Sequence, residues 1–106
     1  MSTDEAVISV NVRDEGATTV VAVGGELEYG TAASLRATLS DLARAGREAV
    51  VLDLRDLGFI DSVGLSLLVQ AKLRFVAEGT RLELRDLAPN VARVFETSGL
   101  TELFAL

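Results

Sequence analysis

Residues 49–79, AVVLDLRDLGFIDSVGLSLLVQAKLRFVAEG, read as a strand, a short turn and a helix. Ala49 to Leu54 is almost continuously apolar and rich in Val and Leu, the composition of a strand covered on both faces in the middle of a parallel sheet. Ser62 stands where a helix N-cap is wanted, its hydroxyl placed to accept a backbone N–H in the next turn. The predicted helix runs to Glu78, and Gly79 stops it.

Working outward toward the N-terminus, Val7 to Val12 alternates in part, as a half-exposed strand near a sheet edge does. Asp14, Glu15 and Gly16 follow as a turn, and Thr18 to Val23 is a second strand, so the two predict a hairpin. Gly24 to Thr31, GGELEYGT, leads into a helix with Thr31 as its expected N-cap and Gly46 as its stop. Leu35, Leu39 and Leu42 form an apolar stripe at i, i+4 and i+7, with Ala32 and Ala43 beside it. Arg36, Asp41, Arg44 and Arg47 lie mostly off that stripe.

Toward the C-terminus, Thr80 to Arg85 alternates, with Leu82 and Leu84 inward, and predicts a fourth strand. Helices separate strands two, three and four, and right-handed crossovers would make these three parallel. Pro89 starts a short amphipathic helix that Gly99 ends. Leu100, Leu103, Phe104 and Leu106 form an apolar tail suited to covering an open part of the core. The expectation is one α/β domain over residues 1–106, a mixed sheet of about four strands packed against helices, with residues 1–5 as a disordered tail.

Composition excludes several function classes. The chain has 106 residues and no Cys or His, which removes disulfides, thiolate zinc sites and Ser-His nucleophile pairs. A formal charge of -6 argues against nucleic acid, whose binding rests on neutralising phosphates. No apolar run approaches the roughly 20 residues that cross a bilayer, and the acidic start MSTDEA does not resemble a signal peptide. A cytoplasmic protein without direct membrane insertion, monomeric when free, is the expectation.

Asp53, Asp56 and Asp61 gather around the central strand, and carboxylates there could hold magnesium. The acidic pair and late Lys of a phosphate-accepting receiver domain are missing, so Asp53 and Asp56 read as solvated or bound to backbone and Arg groups. Gly24 and Gly25 sit where a phosphate loop would start, but without its pattern they read as turn residues. No catalytic residue, metal or cofactor is expected. Asp61-Ser62-Val63-Gly64 has two readings: a helix cap, or an exposed phosphoacceptor whose added charge the helix N-terminus tolerates.

Three segments, GELEYGTAASL, VVLDLRDLGFIDSVGL and APNVARVFETSGL, together resemble the STAS domain of bacterial anti-sigma-factor antagonists, from about Val7 to Leu103. The resemblance implies partner switching without catalysis. An unphosphorylated antagonist binds an anti-sigma serine kinase and frees a sigma factor, the kinase phosphorylates the serine after the aspartate, here Ser62, and a serine phosphatase resets it. It also implies a binding surface of Glu28, Tyr29, Gly30 and Thr31 before the first helix, and of Phe59, Ile60, Asp61, Val63, Gly64, Ser66 and Leu67 around the second. Glu28 stands where Asp is commoner, Val63 where a small residue is typical, and Ser66 where Gly is frequent. The alternative is a non-switching STAS subunit of a membrane lipid transport complex.

Overall fold

The computed structural model of the protein describes residues 6–106; the tail expected at residues 1–5 lies outside them. Strands β1 (Ile8–Glu15) and β2 (Thr18–Leu27) form the predicted hairpin, in antiparallel register from Ile8 opposite Gly25 to Glu15 opposite Thr18. Both strands outrun their predicted ends. Helix α1 (Ala32–Ala45) leads to β3 (Ala49–Asp53), which pairs parallel with the first half of β2. The remaining elements are β4 (Leu57–Ile60), α2 (Ser62–Ala77), β5 (Arg81–Arg85) and α3 (Pro89–Thr97). β5 pairs parallel with β3, as the crossovers require.

The sheet runs β1-β2-β3-β5, and β4 joins it beside the second half of β2. This fifth strand is the residues read as the turn between the central strand and its helix. Leu57 to Ile60 has two buried ends and two exposed central residues, with Gly58 in the middle, so it shows neither alternation nor a full apolar run. Its partner register shifts between Gly25 and Glu26, and such a bulge erases the period of two by which a strand is read.

Gly24 and Gly25 therefore do not turn the chain. They lie inside β2, where a side chain at Gly25 would collide with the Val7 carbonyl oxygen and where φ is +91°, a conformation glycine adopts without penalty. The glycines let three backbone segments pass close together at one level of the sheet.

One apolar core joins the helices to a single sheet face. Val21, Val23, Val50, Leu52, Leu82 and Leu84 meet Leu35, Leu68, Phe75, Val91 and Phe95 there, and each fully buried large side chain contributes roughly 1.5–3 kcal/mol. Of the C-terminal tail, Phe104 reaches the core and stacks edge-on against Phe95 at 5.4 Å between ring centres, whereas Leu106 is exposed. On the other sheet face, cross-strand register lines up Arg13, Val20, Val51 and Glu83 in one row and Asn11, Ala22, Asp53 and Arg85 in the next. The polar and charged residues at the ends of these rows are exposed, whereas Val20 and Val51 between them are buried.

Candidate functional site

The site is assembled where β2 and β4 end together. Leu27, the last residue of β2, accepts a backbone hydrogen bond from Asp61 at 3.1 Å, so the chain enters α2 directly beside the β2 exit. Asp61 is extended (φ -103°, ψ -176°), and one carboxylate oxygen accepts the Gly64 N–H at 2.8 Å. The N-cap is thus Asp61, not Ser62 as the residue order suggested. An N-cap side chain reaches the N–H two or three residues on, and Asp61 alone has the non-helical backbone that aims it there.

The second Asp61 oxygen accepts the Tyr29 N–H at 3.1 Å. One carboxylate therefore fastens the start of α2 to the loop before α1. That loop is further closed on itself: Thr31 Oγ1 donates to the Glu26 carbonyl at 2.6 Å and accepts from the Glu28 N–H at 3.0 Å, and the Glu28 carboxylate accepts from the Gly30 N–H at 2.9 Å. Thr31 precedes α1 as expected but makes no side-chain cap bond to it, because its hydroxyl is spent on the loop.

Ser62 falls in the first helical turn, exposed, with no hydrogen-bond partner for its hydroxyl among the described residues. Around it stand Tyr29, 82% exposed, and Phe59, 48% exposed, the two exposed aromatic side chains among the described residues. Ser66 is exposed one turn further along the same side of α2, and Val63 is half-buried. Ile60, Gly64 and Leu67 are buried; they shape the surface from beneath. At Gly64 a side chain would meet the Leu27 carbonyl oxygen at 2.6 Å and its Cγ at 2.7 Å, so glycine there is what lets the helix sit against the end of β2.

One supporting residue carried no signal in the sequence. Asn90, in the first turn of α3, donates its side-chain N–H to the Gly58 carbonyl at 2.7 Å and holds the exposed middle of β4 beside Phe59. Only the packing of α3 against β4 reveals it.

Of the acids weighed as a metal site, Asp61 is taken up by the cap and the loop, and Asp53 is committed elsewhere. Asp53 accepts the Arg55 N–H at 3.1 Å, and Arg85 approaches its carboxylate at 3.8 Å. Arg55 pairs with Asp86 at 3.0 Å, and that hydrogen bond, aided by the nearby Asp53 charge, raises the Arg55 pKa. Among the described residues, no group of three potential metal-ligating residues converges and no helix is long and apolar enough to cross a membrane.

A mixed sheet with a serine at the mouth of its second crossover helix, flanked by exposed aromatics, frames the site. The chain belongs to the STAS domain family: the family model described as "Mlab, STAS domain" matches residues 10–105. It is 29% identical over 96 residues to the anti-sigma-B factor antagonist of Bacillus subtilis (strain 168), covering 91% of this chain and 87% of that one. The crystal structure of an anti-sigma factor antagonist from Mycobacterium paratuberculosis superposes with a TM-score of 0.82 at 28% identity, over 97% of this chain and 86% of the other. The phosphorylated form of the Bacillus cell fate determinant SpoIIAA gives 0.72 at 25% identity, over 90% and 87%, and its unphosphorylated form gives 0.73 at 22% identity, over 90% and 84%.

Proposed function

We propose that this protein is an anti-sigma-factor antagonist that binds an anti-sigma serine kinase while Ser62 is unphosphorylated and is released when Ser62 is phosphorylated. The observation that carries the reading is the division of labour between neighbours. Asp61 caps the helix, so the Ser62 hydroxyl is free, exposed and unneeded for folding. In the modification, the Ser62 oxygen forms a bond to the γ-phosphorus of ATP, ADP leaves, and the hydroxyl proton passes to the kinase. A metal-dependent serine phosphatase reverses the change by hydrolysis.

The physics favours a switch over a structural role. Phosphate adds about 1.5 to 2 negative charges at the positive end of the α2 dipole, where the free domain tolerates them. In a complex the same charge lies beside Asp61 and against the partner, so repulsion and desolvation fall on the bound state. A differential of about 2 to 3 kcal/mol weakens binding roughly 30- to 150-fold. That phosphorylated and unphosphorylated SpoIIAA share one fold with this chain agrees with a charge-driven switch. The exposed loop 28–31 and the Phe59–Leu67 segment form the proposed contact surface, with Tyr29, Phe59 and Val63 offering apolar area and the buried members its shape.

The test is capture from lysate of the source organism with wild type, Ser62→Ala and Ser62→Asp, bound proteins being identified by mass spectrometry. An ATP-binding anti-sigma kinase retained by wild type and Ala and lost with Asp is the expected result. A transporter subunit held equally by all three would replace the switch with a constitutive assembly role.

A further inference from the structure

Between α1 and α2 runs a groove with a cavity of about 190 Å³. Its floor is Leu39, Leu67, Ala71 and Phe75, and its rim carries Arg36 from α1 and Arg74 from α2; no carboxylate of the described residues lines it. This is unusual for a chain of formal charge -6. Six of the nine arginines, Arg13, Arg44, Arg47, Arg55, Arg81 and Arg85, are ion-paired with Asp or Glu. Arg36 has no such pair among the described residues, and Arg74 reaches only the Ser40 hydroxyl, at 3.4 Å. Two of the three arginines without a carboxylate partner among the described residues therefore converge on one apolar groove.

We infer that the α1–α2 groove is a docking surface for an acidic amphipathic helix of a partner protein. A cavity of this size is below the roughly 300–1,000 Å³ of a drug-sized ligand site and suits one or two inserted side chains. A helix supplies an apolar anchor with carboxylates on the neighbouring i±3 and i±4 positions, the spacing that brings them to arginines on both rims. Arg is the residue suited to hold them, because its planar fork bonds a carboxylate at two points. An acidic occupant also resolves the charge pattern, since repulsion from the rest of an acidic domain is locally reversed here. The groove begins near the Ser62 end, Leu67 lying five residues along α2, about 7.5 Å by helical rise. It shares Leu67 with the proposed kinase contact but is otherwise lined by different residues, and the inference does not rest on Ser62 phosphorylation.

The test uses the unphosphorylated full chain, labelled with ¹⁵N, and two synthetic helical peptides. One has a Leu anchor flanked by Glu at i-4 and i+3; its twin has Lys in place of both Glu. The expected result is that the acidic peptide shifts the amides of Arg36, Ser40, Gln70 and Arg74, that the basic twin does not, and that the affinity falls at least about tenfold in the Arg36→Glu, Arg74→Glu double variant, which gains affinity for the twin. Circular dichroism checks that the variant is folded, and the Arg36→Gln, Arg74→Gln pair replaces it if it is not. Equal binding of both peptides, shifts confined to other surfaces, no shift at all, or unchanged affinity in the folded variant would each overturn the inference.

Discussion

The two halves of β2 face different tasks. Its first half pairs with β3 in unbroken register from Thr18–Ala49 to Ala22–Asp53, and Thr19, Val20 and Val21 are all buried. Arg47 stitches this end shut: its Nε donates to Thr19 Oγ1 at 2.9 Å, and its carbonyl accepts from Thr80 Oγ1 at 2.7 Å. The second half contains Gly24 and Gly25, pairs with β4 through a register shift, and delivers the chain to an exposed loop. One strand thus carries a closed end that holds the fold and an open end that presents Tyr29, Phe59 and Ser62. The lesson is that strand regularity tracks stability, whereas irregularity marks where the chain is aimed outward.

If that contrast is right, the stability cost of substitution falls from the closed end to the tip. Leu52→Ala, in the middle of β3, is expected to cost about 3 kcal/mol through lost burial and a residual cavity. On a domain of this size that lowers Tm by roughly 12–24 °C, measurable by calorimetry. Gly64→Ala comes next, at about 2 kcal/mol, because the added methyl meets the Leu27 carbonyl and side chain below contact distance. An unchanged urea midpoint for that variant would show that α2 is not pinned to β2, and the contrast would break.

Asp61→Ala is expected to cost about 1 kcal/mol for the lost cap and to speed amide exchange at both Gly64 and Tyr29. Asp61→Asn keeps an acceptor oxygen and should lose less. Faster exchange at Gly64 alone would confine Asp61 to capping and free the loop from it. Smallest of all, Ser62→Asp should move stability by no more than about 0.5 kcal/mol, although the proposed switch assigns it the largest effect on partner binding. A Ser62→Asp domain that unfolds would reverse the ordering and return Ser62 to a structural role.

The comparison also explains what could be read in advance. The closed end was legible because its determinants are local: the apolar run of β3, the alternation of β5 and the Leu stripe of α1 each sit in one contiguous segment. Chain order with right-handed crossovers then supplies the parallel arrangement. The Asp61-Ser62 pair was visible too, but not which of the two caps the helix. Residue type favours either as N-cap, and the decision lies in backbone angles set by the hydrogen bond from Asp61 N–H to Leu27.

By itself, then, the sequence determined the element types, the hairpin, the parallel core and the segment holding the candidate serine, because periodicity and composition encode burial one segment at a time. Tertiary structure alone decided that Leu57–Ile60 is a strand, that Gly24 and Gly25 allow close passage instead of a turn, that Asn90 braces Gly58, and that one carboxylate joins two loops 32 residues apart. Each of these depends on backbone groups from distant segments meeting at one level of the sheet, and no local pattern records where a distant carbonyl or N–H will lie.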